Sequence, residues 1–551
     1  MNYKPIVLLV TILFVLLLLS GTATAMQPKE IWNIDDLKNI GNESYKEGWI
    51  MSAPYILMAD ISIDEGRWVS IGNDSKPFTG TFDGNGKTIT FTKDTKFEKT
   101  NSADPDYDGY GLFGNIGGTS EIKNVNIVAE GNLTNDENNY FGALVGSSYD
   151  IYESQNITDC SVKIKDGCSI EGNDYVGGLV GFFGAGNLSK CHSTGTVIGN
   201  FCVGGLAGWV GYDEPDCGDP DCIDPECPGP HYVGIGYISE SYAAVSVTGN
   251  DCTGGFLGYI GYGYISESYA AGSVIGNDWT GGFLGCFMNG EIFESYAAGS
   301  VTGNDYVGGF VGDFVGILSD SYATGDVTGN DFVGGLVGVT CYSTTKIKNS
   351  YSSGSVSLIK DATGNQIGGI LGNFDDSYDP IPPAITDCFY IEVEGDGADN
   401  GYGTPVSPAQ MKSINTFTVK TGDGGLIEGD GWSISSSYDP EKTWFILEDR
   451  DYPKLSQQYE EPAPGSRSGS GTGSVVVVNS TSEIPDLKDD EIHGVSEIPD
   501  ASPSDSNSID GGTSGYNSEN GPDWKLYLIL GGGLIIVIGG VAYFLSVRSK
   551  V

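Results

Sequence analysis

Between residues 238 and 340 apolar side chains alternate with polar ones inside short runs, and the runs themselves return every 26 or 27 residues. The phrase S-Y-A-A-G-S-V-T-G-N-D-Y-V-G-G-F-V-G at 295–312 is the clearest copy, and close copies open at Ile238, Ile265, Ile292 and Leu318. A period of that length is too long for one hairpin and too short for a domain, so each copy is one unit of a stack.

Aligned by column, the copies show which positions face inward. The opening column is Ile122, Ile157, Leu188, Ile238, Ile265, Ile292, Leu318, Ile347 and Ile385, which marks a core position. Two residues on, Asn124, Asp159, Lys190, Glu240, Glu267, Glu294, Asp320, Asn349 and Asp387 are polar and face water. A small column follows with Cys160, Cys191, Ser241, Ser268, Ser295, Ser321, Ser350 and Cys388, then Tyr242, Tyr269, Tyr296, Tyr322 and Tyr351, then Ala243, Ala270, Ala297 and Ala323. The two-residue period of a strand puts Ser and Ala inward and Tyr outward. Val247, Val274, Val301, Val327 and Val356 form a second inward column after a glycine bend, and Gly-Asn-Asp supplies the next turn. Three short strands per repeat predict an all-β, right-handed parallel β-helix with coils about 4.8 Å apart.

The V-G-G-F-V-G segments resemble the GLUG motif at 177–181, 204–208, 254–258, 281–285, 308–312 and 334–338. The N-terminal I-L-M-A-D-I-S-I at 56–63, Trp68 and P-F-T-G-T-F-D-G-N-G-K at 77–87 resemble the same group. So do C-F-Y at 388–390, P-A-Q-M-K at 408–412, Trp444 and Y-P-K-L at 452–455, so the resemblance spans roughly 31–456. It implies a secreted or surface protein of bacteria or archaea. The group includes adhesin-like proteins and domains attached to proteases, so it implies no particular activity.

The ends extend that picture. Lys4, an apolar run at 6–19 and Ala23-Thr24-Ala25 read as a signal peptide at 1–25. Residues 526–547 carry no charge and would make about 33 Å of helix, a transmembrane span within 524–547. Arg548 and Lys550 follow, which leaves a cytoplasmic tail at 548–551 and the rest outside a cell membrane crossed once. Residues 460–523 read as a flexible acidic Ser/Gly/Pro stalk. Between the ends the expected order is a cap and first coils at 26–109, the repeat helix at 110–375, and a C-terminal coil and cap at 376–459. Sequons at Asn42, Asn73, Asn132, Asn156, Asn187 and Asn479 are candidate glycosylation sites.

Charge narrows the partners. Against 73 Asp and Glu stand 27 Lys and Arg, a net charge of -46, which repels phosphate backbones and argues against nucleic acid. Lys190 is the one Lys or Arg between 171 and 340. The column Asp251, Asp278, Asp305 and Asp331 either splays into solvent or is bridged by cations.

An insertion at 211–233 holds Cys217, Cys222 and Cys227 with Asp213, Asp216, Asp219, Asp221 and Asp224. Its readings are an acidic loop stapled by a disulfide, a calcium site with oxygen ligands, or a thiolate metal site. Cys160 with Cys191, and Cys202 with Cys252, share columns on consecutive coils, so each pair is a disulfide or an inward ladder. The Tyr column is either a platform for sugar rings or a stack that steadies the coils. His192, His231 and His493 fit no catalytic motif. The expectation is a non-enzymatic surface protein acting in adhesion, envelope structure or glycan binding, with extracellular glycans or cell-surface proteins as partners. Its rivals are a polysaccharide hydrolase on the same scaffold and a cation-binding envelope protein.

Overall fold

A computed structural model describes residues 27–98, 109–135, 140–148, 153–215, 231–360, 362, 366–377, 379–392, 399–418, 432–447 and 449–458. Two compact units divide the chain at Ser482, and all described residues lie in the first. The signal peptide, stalk, transmembrane span and tail expected above lie outside the described residues. Among those described, no helix is long and apolar enough to cross a membrane.

The repeats wind into a parallel β-helix. One long sheet holds 12 strands, from Lys29–Ile31 to Ala384–Thr386, each parallel to the next. The Ile column is its register: Ile157 pairs with Leu188, Leu188 with Ile238, Ile238 with Ile265, and so on to Ile385. Those side chains from Ile122 to Ile347 are at most 1% exposed. Phe82 precedes Ile122 in the same column, so the N-terminal segment continues the coil without a repeat visible in its sequence. A second sheet carries the Tyr, Ala and Val columns, while sheets of 8 and 9 strands carry the two halves of the V-G-G-F-V-G segment. Two antiparallel pairs interrupt the pattern: Tyr212–Pro215 with His231–Gly234 at the base of the insertion, and Trp444–Phe445 with Lys454–Leu455 near the end.

The polar column that follows Ile is a corner. Asn124, Asp159, Lys190, Glu240, Glu267, Glu294, Asp320, Asn349 and Asp387 all have φ between 48° and 55°. Left-handed backbone is costly for Glu and Lys, and it diverts the next amide from its strand partner. The Ser column meets that need. The N–H of Ser241 donates to Ser268 Oγ at 3.3 Å, that of Ser268 to Ser295 Oγ at 3.3 Å, and that of Ser295 to Ser321 Oγ at 3.3 Å. Each hydroxyl in turn donates to the carbonyl two residues back, as Ser268 does to Ser266 at 2.7 Å. A buried polar column is thus fully used at the point where the coil turns.

Candidate functional site

The Tyr column is a stack. Tyr242, Tyr269, Tyr296, Tyr322 and Tyr351 pair rung to rung with centroids 4.8–5.0 Å apart and ring planes within 9° of parallel. His192 continues it at 4.7 Å from Tyr242, half-buried, and burial lowers its pKa. The rings point outward, but the end of the chain covers half of them. Trp432, Trp444, Phe417 and Met411 pack on Tyr296, Tyr322 and Tyr351, which are 7%, 2% and 0% exposed. Tyr351 Oη donates to the Pro453 carbonyl at 2.8 Å, and Tyr322 Oη bonds to Gln458. The sugar platform expected of all five rings is therefore corrected: Tyr296, Tyr322 and Tyr351 are closed off, and Tyr242 and Tyr269 are half-buried with their faces taken by neighbouring rings of the stack. The Y-P-K-L and P-A-Q-M-K phrases belong to this cover, the latter in a helix, Pro408–Met411, capped by Ser407.

A second aromatic row lies on the outside of the V-G-G-F-V-G bend. A Cβ on Gly308 would sit 1.9 Å from the Val311 carbonyl oxygen, and one on Gly312 would sit 2.6 Å from the Trp279 carbonyl carbon. Glycine alone lets the two strands close this far. We call the bend the glycine corner. One lip is the column Tyr175, Cys202, Cys252, Trp279, Tyr306 and Phe332, all at φ between 49° and 59°. Bulky side chains in left-handed backbone are outliers, and four of the six, Tyr175, Trp279, Tyr306 and Phe332, are held there at a cost. The other lip is the column Phe182, Trp209, Tyr259, Cys286, Asp313, Val339 and Asn373.

The lips meet with an offset of one coil. Tyr140 packs on Phe182 at 5.1 Å, Tyr175 on Trp209 at 5.4 Å, and Cys252 is disulfide-bonded to Cys286. By the same offset Trp279 stands across from Asp313, since the backbone at Gly312 rests on that of Trp279. Tyr175, Trp209, Tyr259, Trp279, Tyr306 and Phe332 are half-buried, and several of them with Cys202, Cys252 and Cys286 form a cluster separate from the core. Burial pushes the Tyr175 hydroxyl up to about 12. Asp313 is the one charged group on the second lip; its Oδ1 is buried without a hydrogen-bond partner, and burial pushes its pKa up to about 7. Alternation alone did not single out this row. The readable signal was the bulky residue before each V-G-G or T-G-G.

The Cys202–Cys252 pairing is corrected, because Cys252 reaches across the corner to Cys286 and leaves Cys202 a buried free thiol. Cys160 and Cys191 are also free. They occupy Ser positions, and their thiols donate to the Thr158 and Ser189 carbonyls at 3.3 and 3.2 Å, so they form the inward ladder. The Asp column is tied along the stack by hydrogen bonds. Asn277, Asn304 and Asn330 each donate a side-chain amide to the carboxylate one coil back, on Asp251, Asp278 and Asp305, at 3.4, 3.0 and 2.7 Å.

Asp213 falls in the strand Tyr212–Pro215, while Asp216, Asp219, Asp221, Asp224, Cys217, Cys222 and Cys227 lie outside the described residues. Among the described residues no three His, Cys, Asp or Glu side chains converge as metal ligands. Asn42 and Asn187 are exposed, while Asn73, Asn132 and Asn156 are half-buried. Asn187 donates to Asn156 Oδ1 at 2.8 Å, so glycans on both would crowd. Asn479 lies outside the described residues.

The parallel β-helix turns through a segment like V-G-G-F-V-G at successive coils. The chain carries a match to the family model described as the GLUG motif at residues 172–198. It is 31% identical over 171 residues to Halomucin of Haloquadratum walsbyi, which covers 29% of this chain and 2% of that protein. A crystal structure described as that of a candidate immunoglobulin A1 protease from Bacteroides ovatus is similar over 74% of this chain and 94% of its own. That match has 20% identity and a TM-score of 0.32.

Proposed function

We propose that this is a non-catalytic, membrane-anchored surface rod that binds glycans, with adhesion or envelope structure as the outcome. A right-handed coil is the sense that parallel crossovers take. The observation that carries the reading is the glycine corner: half-buried aromatic faces held in line along the rod by a strained backbone, with one carboxyl among them. Apolar faces beside few polar groups suit a sugar ring, which is apolar on its faces and hydroxylated at its rim. Export and anchoring rest on the signal peptide and the apolar span in the sequence. Against catalysis, His192 is held in a stack, and the recurring acids of the Asp column are engaged by amides.

The hydrolase reading keeps one specific support, Asp313 near neutrality with Asp375 close enough to raise it further, since glycosidases need one carboxyl that stays protonated. A glycan array probed with the full chain in detergent, followed by a reducing-sugar assay on each ligand retained, tests both. Retention without cleavage is expected. Retention of no glycan would overturn the reading, and cleavage would replace it with the hydrolase.

A further inference from the structure

Asp313 is paired with no basic side chain among the described residues. It follows Gly312 at the centre of the second lip, between Cys286 one coil back and Val339 one coil on, so its neighbours in the column carry no charge. The residue as a whole keeps some exposure, but its Oδ1 is buried and accepts nothing. Trp279 stands across the corner, and Tyr306, the next ring on that lip, feels Asp313 together with Asp278, Asp305 and Asp375. Trp279 and Tyr306 are parallel within 8° at 5.7 Å, wider than any step of the Tyr stack.

Among the described residues no basic side chain pairs with these carboxylates. Lys190, the one Lys or Arg between 171 and 340, lies 3.7 Å from Glu240. None of the ion pairs among the described residues includes Asp278, Asp305, Asp313 or Asp375. A bare divalent ion wants at least three hard ligands in one place, and the described residues offer no such group. An organic cation needs less: one carboxylate and the face of an aromatic ring.

We infer that Asp313, with the rings of Trp279 and Tyr306, takes the ammonium of a free amino sugar, so that the glycans held along the corner are those with unacetylated amino groups. This rests on the reading that the corner binds glycans. The ammonium supplies the charge partner that Asp313 lacks, and the sugar rings continue along the row toward Phe332 and Tyr259.

The test is calorimetric titration of the full chain in detergent with a glucosamine hexamer, an N-acetylglucosamine hexamer and a lysine hexapeptide. The glucosamine hexamer should bind at least tenfold more tightly than either of the others. Asp313→Asn should abolish that preference, and Trp279→Ala should weaken both sugars. Asn is close in size to Asp and removes an unpaired charge, so this variant should fold, and unchanged circular dichroism confirms it.

Equal binding of the two sugars, or a preference that survives Asp313→Asn, overturns the inference. If both sugars are still weakened by Trp279→Ala, glycan binding at the corner stands without it. Lysine peptide bound as tightly as the sugar overturns it too, showing that charge alone is read.

Discussion

Cys252 and Cys286 lie on adjacent coils and opposite lips of the glycine corner, with Cα atoms 5.6 Å apart, and their disulfide marks how closely the lips approach. Cys202 stands one coil before Cys252 in the same column, between Phe201 and Val203, which pair in register with Asp251 and Thr253. Coil spacing of about 4.8 Å puts that pair within disulfide reach as well. Cys286→Ser should therefore give a Cys202–Cys252 bond in protein produced under oxidising conditions. Peptide mapping without reduction checks this; a free Cys252 in that variant would show that the column geometry forbids the bond.

The corner depends on glycine where backbone meets backbone. Gly312→Ala puts a methyl 2.6 Å from the Trp279 carbonyl carbon, and neither strand can move without breaking its sheet. A loss of about 3 kcal/mol or more in denaturant unfolding is expected. Gly66→Ala is the control, because its nearest neighbour would be 3.8 Å away, and it should change stability by less than about 0.5 kcal/mol.

Trp444 fastens the end of the chain to the Tyr stack. Its Nε1–H donates to Asp320 Oδ1 at 3.1 Å, and its ring lies 5.9 and 6.0 Å from Tyr322 and Tyr351. It is fully buried, so Trp444→Ala should cost about 3–5 kcal/mol. Tyr322 and Tyr351 should then become reactive to tyrosine-modifying reagents, while Tyr242 reacts as before.

Asp313 gives stability a pH dependence. Its pKa rises from 3.8 in the unfolded chain to about 7 in the folded one, chiefly by burial. Folding then favours the protonated form, so the stability it contributes is complete below about pH 4 and is lost as the pH climbs through about 7. Asp313→Asn escapes that loss. Its advantage over wild type should grow from near zero at pH 4 to about 1–3 kcal/mol at pH 8, read from melting curves at each pH. An advantage that is constant across that range would contradict the assignment.

The inward columns were legible because each repeats one chemistry at one offset: Ile, Ser, Ala and Val recur where the coil needs apolar or small groups. The outward direction of Tyr242 to Tyr351 followed from the same alternation. The cover on Tyr322 and Tyr351 did not, because Pro453 and Gln458 come from more than 100 residues away and belong to no repeat. The positive φ at Glu240, Glu267 and Trp279 was hidden because those residue types do not announce left-handed backbone. The pairing of Trp279 with Asp313 was hidden for another reason. It joins different columns on different coils, and only the closeness permitted by Gly312 brings them together.

Which aromatic row holds the ligand is the central question, and one comparison answers it most directly. Full-length chains carrying Trp279→Ala or Tyr269→Ala are displayed on cells, and glycan retention is measured on the array that wild type defines. The account predicts at least a tenfold loss for Trp279→Ala and wild-type retention for Tyr269→Ala. Loss with Tyr269→Ala and none with Trp279→Ala would move the site back to the Tyr stack.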